Sequence, residues 1–238
     1  NEHFATTQWS MVRDAGNEAS SRTQEALEQL CQRYWQPLYA YVRRRGYSAN
    51  DAQDLTQSFF LSLLNRNSIQ TADPDRGRFR SFLLGGINNY LVDAIRRETA
   101  EKRGGTSQTL SFDFEVAEQR YQSQSEPVDQ LTPERIYERA WAIATIEKVQ
   151  DRLMDYYRST GNEELLTKLL PHLSRDTDRL PYVEIARSLG KKEGAVKVAA
   201  HRLKQKYREI LRDEILQTID HQESLDDEVA LLFKSLQH

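Results

Sequence analysis

An all-α protein of two helical domains joined by an acidic linker is predicted by three features of the 238-residue sequence. Long stretches place apolar residues at intervals of three and four, the period of one helix face. Residues 181–212 carry the spacing of a helix-turn-helix followed by a long basic continuation. Between the helical stretches, residues 104–131 lose any sustained period and become acidic.

Composition narrows the function. With 33 Lys and Arg against 36 Asp and Glu, the net charge of -3 argues against a protein that coats nucleic acid indiscriminately. That charge is segregated along the chain, so local patches decide. A mean hydropathy of -0.75 and the lack of an apolar window of membrane-spanning length predict a soluble protein with no membrane insertion. The first ten residues have neither a basic start nor an apolar core, so no secretory signal is read there. The lone Cys31 excludes an internal disulfide and fits a reducing cytoplasm.

The first helical stretch, 26–45, sets Leu27, Leu30, Cys31 and Tyr34 on one face and is expected to restart at Pro37 with Leu38, Tyr41 and Val42. It ends in Arg43, Arg44 and Arg45 before Gly46, a run that serves the helix dipole and equally suits phosphate. Ser48 then opens a helix with Asp51 in a capping-box-like position. Its apolar stripe is Ala52, Leu55, Phe59 and Leu63, and a polar face carries Asp51, Asp54, Gln57 and Ser58.

After a turn-rich loop at 71–78, Phe79, Phe82, Leu83, Gly86, Ile87, Tyr90 and Leu91 define the inner face of a second long helix. The opposite face offers Arg78, Ser81, Asn88, Asn89, Arg96 and Arg97, groups that hydrogen-bond bases and phosphates. Adjacent Gly85 and Gly86 each cost about 1 kcal/mol relative to alanine in a helix, which implies a close-packed neighbour. The acidic segment reads as a partly extended tether whose Leu110, Phe112 and Phe114 dock on a surface.

Thr132 caps the next helix with Pro133 at its first position, and a short apolar helix follows at 165–170. In the helix-turn-helix, Ile185, Ala186 and Leu189 face inward, Gly190 makes the turn, and Val196, Ala199 and Leu203 line the second helix. Lys192, Lys197, His201, Arg202 and Lys204 lie on its outer face, which suits phosphates and base edges. Residues 213–238 reverse the sign of the charge, and Leu225, Val229, Leu232 and Phe233 predict a terminal helix that covers leftover apolar surface. No HExxH, CxxC, phosphate-loop or nucleophile-elbow pattern occurs, so neither a cofactor nor an enzymatic activity is expected. Asp51, Asp54, Asp73 and Asp75 make the best metal-nuclease case, but two are expected caps and two lie in a turn.

Two separated stretches together resemble bacterial RNA polymerase sigma factors of the extracytoplasmic-function (ECF) group. They are 27–97, with DAQDLTQSFF and GRFRSFLLGGINNYLVDAIRR, and 182–211, YVEIARSLGKKEGAVKVAAHRLKQKYREIL. The resemblance implies region 2 at 22–103, an acidic linker at 104–131, a region 4 helix-turn-helix at 132–212 and an acidic extension at 213–238. It implies core RNA polymerase as partner, through the beta-prime clamp and the beta flap, with Asp51, Asp54, Gln57, Ser58 and Phe59 at the clamp. Minus-ten promoter DNA would meet Arg76, Arg78, Arg80, Phe82, Asn88, Asn89, Arg96 and Arg97, where the family captures a flipped base. Minus-thirty-five DNA would meet Lys192, Lys197, His201, Arg202 and Lys204. Relatives usually carry Gln-Glu where this chain has Gln57 and Ser58, which implies either weaker polymerase binding or a kinase that restores the charge at Thr56 or Ser58. An anti-sigma factor is a further partner that the resemblance implies. The alternative from the residues alone is a stand-alone helix-turn-helix regulator with a sensing or dimerising N-terminal domain.

Overall fold

The computed structural model describes residues 21–65, 79–98, 112–125, 131–173, 179–217, 219 and 225–237, without the side chains of 21–27, 30, 64–65, 97–98 and 124–125. The 71–78 loop, with Asp73, Asp75, Arg76 and Arg78, lies outside the described residues, as do the side chains of Leu27, Leu30 and Arg97. Among the described residues there are nine α-helices and no strand, so the fold is all-α. No described helix is long and apolar enough to cross a membrane. The chain divides into one unit of Asn1–Ala144 with Ile215–His238 and a second of Thr145–Glu214.

In the first unit, α1 (Ser21–Arg44) runs unbroken through Pro37 instead of restarting there. Proline removes one intrahelical hydrogen bond and costs ~3 kcal/mol within a helix. Burial of Tyr34, Trp35, Leu38, Tyr41 and Val42 on the turns around it offsets that cost. Gly46, at φ 95°, closes the helix, and its N–H donates to the Arg43 carbonyl at 3.0 Å.

Helix α2 (Ala49–Asn65) begins as the capping pattern predicts: the Asp51 N–H donates to Ser48 Oγ at 3.2 Å, and Ser48 Oγ donates to Asp51 Oδ2 at 2.6 Å. Its core side buries Ala52, Phe59, Phe60 and Leu63. Helix α3 (Phe79–Glu98) buries Phe79, Leu83, Ile87 and Leu91, one side chain every four residues. Gly86 admits the ring of Phe59, which stands 3.2 Å from where a Cβ would lie, whereas Gly85 has open space beside it. Only one of the paired glycines therefore answers to packing.

The segment expected to be a partly extended tether contains a helix, α4 (Phe114–Ser125), begun by Asp113, whose Oδ1 accepts from the Val116 N–H at 3.1 Å. The expected docking of its aromatic entry does occur. Phe112 stacks on Trp35 with centroids 4.9 Å apart and meets Phe60 edge-on, while Phe114 meets Trp35 and Tyr39. Helix α5 (Pro133–Ser159) is capped by Thr132, whose Oγ1 accepts from the Arg135 N–H at 3.4 Å.

In the second unit, the C-terminal part of α5 buries Val149, Leu153 and Tyr157. Helix α6 (Glu163–Leu169) adds Leu166 and Leu169 before a short 3-10 turn at Leu170–His172. Helix α7 (Tyr182–Ser188) and helix α8 (Glu193–Leu216) form the helix-turn-helix. Gly190, at φ 62°, sits in the turn, where the Lys191 N–H reaches back to the Ala186 carbonyl at 2.9 Å. Ile185, Ala186, Val196 and Leu203 are buried as expected, but Ala200 fills the place assigned to Ala199, which is half-exposed.

The last helix, α9 (Leu225–Ser235), belongs with the first unit and buries Leu225 and Leu232. Residues Ile215–His238 thus belong to the same unit as α1 to α4.

Candidate nucleic-acid and polymerase interfaces

On α2, Asp51, Asp54 and Ser58 are exposed at positions i, i+3 and i+7, with Gln57 half-exposed beside them. They form one solvent face, as the spacing predicts. Phe59 does not join it: the ring is 4% exposed, packed on Gly86 and edge-on to Tyr90. The expected polymerase contact is thus left to the polar residues of α2, because the Phe59 ring is turned into the α2–α3 seam. Thr56 is fully buried, which leaves Ser58 as the accessible hydroxyl of the pair.

On the outer face of α3, Asn89 and Arg96 are exposed and Asn88 is half-buried. Arg96 pairs with Asp93 at 3.6 Å, a surface contact that competes weakly with a nucleic acid. Phe82, half-buried, and Asn89 line a groove of about 470 Å³ together with Phe59, Gly85, Gly86 and Tyr90. Flat aromatic walls and one amide are groups that hold a base by stacking and edge hydrogen bonds. The open space at Gly85 widens this groove, which is a second use for a glycine that packing does not explain.

Arg80, expected on the same DNA-facing surface, is turned inward. Its side chain is almost fully buried, ion-paired to Glu228 of α9, with its guanidinium 4.5 Å from the centre of the Trp141 ring. Its carbonyl accepts a hydrogen bond from the Tyr137 hydroxyl at 3.0 Å. In this conformation Arg80 faces protein instead of DNA.

The arginine run that closes α1 separates into three roles that composition could not distinguish. Arg43 donates from Nε and Nη2 to the two oxygens of Glu118, each at 2.8 Å, and lies over Tyr121. Arg44 Nε donates to the Leu131 carbonyl at 3.1 Å. Arg45 is exposed, and its Nη1 donates to Asn88 Oδ1 at 3.3 Å, which places a cation beside the α3 amides. Sequence reasoning allowed a phosphate role to all three arginines alike, and only the packing of α1 against α3 singles out Arg45.

In the helix-turn-helix unit, Lys192, Lys197, His201 and Arg202 are exposed and Lys204 is half-exposed. Glu193 pairs with Lys197 at 2.7 Å and raises the ammonium above its ordinary range. Arg202 also borders a groove of about 540 Å³ with Tyr156, Tyr157, Val198 and Lys206. His172 ties the entry to α7: its Nε2 bonds the Leu180 carbonyl at 3.0 Å and its ring stacks on Tyr182.

Comparison with known proteins bears on the first unit most directly. The family described as Sigma-70 region 2 matches residues 30–101. The chain is also 25% identical over 184 residues to the ECF RNA polymerase sigma factor SigE of Mycolicibacterium smegmatis, a match covering 77% of this chain and 61% of that protein. These matches support an ECF-type sigma factor. The chain thus spans less than two thirds of the curated relative's length. No solved structure matches it. The region 2 match takes in α2 and α3, and with them the α2 polar face, Arg45 and the groove at Gly85; α4 and α9 lie beyond it.

Proposed function

We propose that the protein binds core RNA polymerase and directs promoter recognition and DNA opening in transcription initiation, without chemistry of its own. The observation that carries this reading is the Sigma-70 region 2 match in the same chain as a helix-turn-helix with an exposed basic face. Under this reading 22–103 acts as region 2, 104–131 as the linker, 132–212 as region 4 and 213–238 as a C-terminal extension. Asp51, Asp54, Gln57 and Ser58 dock on the polymerase clamp, and the exposure of the first two and of Ser58 supports that role. Asn88, Asn89 and Arg96, joined by Arg45, hold the minus-ten strand, with the Phe82 groove receiving a base. Lys192, Lys197, His201 and Arg202 meet the minus-thirty-five element, and Lys204 adds a phosphate contact. A kinase acting on Ser58 would restore the negative charge that relatives carry there, and the exposure of Ser58 is consistent with access.

Core polymerase reconstituted with the protein tests the reading: specific initiation from a selected promoter is expected, and failure to bind core overturns it. A stand-alone regulator would instead bind duplex DNA unaided, and a nuclease would cut it when given a divalent metal.

A further inference from the structure

Arg80 and Glu228 are 148 residues apart in sequence, and both are buried, at 5% and 1% exposure. A buried ion pair adds little stability over an apolar pair of the same volume, yet it penalises every arrangement in which one partner is left alone. Such a pair specifies one seating of α9 on α3. The rest of that seat is small: Leu225 and Leu232 are the fully buried apolar side chains of an eleven-residue helix. A helix of that length is marginal in water on its own, so α9 exists as a helix chiefly while docked. Short terminal elements with few buried contacts open at the lowest free energies in a structure.

What α9 covers is chemically specific. Arg80 stands in the first turn of α3, the helix whose outer face carries Asn88, Asn89 and Arg96. Glu228 gives that guanidinium an acceptor of the kind a phosphate diester also offers, paired anionic oxygens. Asp226 and Asp227, exposed in the first turn of α9, add further negative charge to the same unit. We propose that α9 is a releasable clasp: Glu228 occupies the Arg80 guanidinium in the free protein, and release of α9 hands Arg80 to a nucleic-acid phosphate. The nucleic-acid half rests on the reading of α3 as a DNA-facing helix; the clasp itself does not.

The test uses the full chain. Arginine-directed labelling with phenylglyoxal, read by peptide mass spectrometry, reports the accessibility of Arg80 with neither DNA nor polymerase present. Slow labelling of Arg80 relative to Arg45 is expected in the parent, with a rise of at least fivefold in Glu228→Gln, which keeps the apolar seat of α9. Binding of a fluorescent twelve-residue oligothymidylate is expected to tighten at least threefold in Glu228→Gln and to lose that gain in Glu228→Gln/Arg80→Gln. Leu232→Ala, which makes the seat shallower and leaves the ion pair's chemistry intact, gives the same readings should Glu228→Gln fail to fold. Unchanged Arg80 labelling in a folded variant would make α9 permanent core and overturn the clasp. Increased labelling with unchanged oligonucleotide affinity would overturn the hand-over to phosphate. Failure to bind core polymerase would leave the labelling result standing, so the two readings fail separately.

Discussion

Glu118 accepts both arms of the Arg43 guanidinium at 2.8 Å, and the Tyr39 hydroxyl donates to the same carboxylate at 2.5 Å. The pair is about one-fifth exposed, so solvent screens it only in part and its two-armed geometry strengthens it. Its Arg43 hydrogen bonds, aided by those from Tyr39 and Gln122, hold the Glu118 carboxyl below its ordinary range despite partial burial. Glu118→Gln is expected to lower stability by ~1–2 kcal/mol at pH 7. A depressed native pKa contributes stability above the unfolded carboxylate value, and that contribution is lost as pH falls through the native one. Melting curves of parent and variant should therefore converge on acidification from pH 7 to about pH 3.

Gly85 and Gly86 should respond oppositely to alanine. At Gly85 a Cβ meets open space, so Gly85→Ala is expected to stabilise by ~0.5–1 kcal/mol through helix propensity and unfolded-state entropy. At Gly86 it would meet two Phe59 ring atoms at 3.2 and 3.3 Å, and Gly86→Ala is expected to destabilise by about 1 kcal/mol or more as the ring is displaced. Urea denaturation of the two single variants decides both signs.

His172 brings a pH dependence to the helix-turn-helix unit. Burial lowers its pKa, and the charges of Arg179 and Lys204 add to that effect, against the opposing bond to the Leu180 carbonyl. The native state thus favours neutral imidazole with Nε2 protonated and donating to Leu180. Stability is then complete above about pH 6.5, the unfolded value, and declines as pH drops below it. His172→Phe keeps the stack on Tyr182 and should flatten that decline in thermal melts between pH 7.5 and 5.5.

Neighbouring arginines should separate stability from binding. Arg44→Ala removes a hydrogen bond to the Leu131 carbonyl and is expected to cost ~1 kcal/mol of stability. Arg45→Ala leaves stability nearly unchanged and should reduce the salt slope of minus-ten strand binding by about one charge. Melting curves paired with salt titrations of binding distinguish the two.

At the other promoter element, Arg202→Ala is expected to cost ~1–3 kcal/mol in discrimination between promoter sequences if the side chain reads a base. Lys204→Ala should weaken binding evenly across sequences. Competition binding against single-base promoter variants measures both.

Much of this was visible in the amino acids because local chemistry determined it. Ser48 and Asp51 announce a cap, Gly46 and Gly190 take the left-handed conformations their helix ends require, and the four-residue spacing from Phe79 to Leu91 makes a buried stripe. What sequence could not show depends on partners distant in the chain. Helix α4 escaped notice because it docks by the aromatics at its entry and one carboxylate, and Ala117 is the only described side chain on it that is fully buried. Helical spacing already set Phe59 on the apolar stripe of α2, and it was the family resemblance that placed both Phe59 and Arg80 on contact surfaces. A glycine on α3 buried the first, and a carboxylate from the far end of the chain claimed the second.

The pairing of Arg80 with Glu228 also sets an order of events during synthesis. A ribosome adding about 5–20 residues per second needs roughly 7–30 s to travel the 148 residues between them. Throughout that interval the emerging α3 has its cation and no anion to meet it. The N-terminal unit cannot reach its final form domain by domain, because the chain must first deliver the whole helix-turn-helix, Thr145–Glu214, before the piece that completes it. Stalled chains that carry a C-terminal linker long enough to clear the exit tunnel, with and without residues 225–238, should differ in the protease resistance of α3, although every residue of that helix has left the ribosome in both.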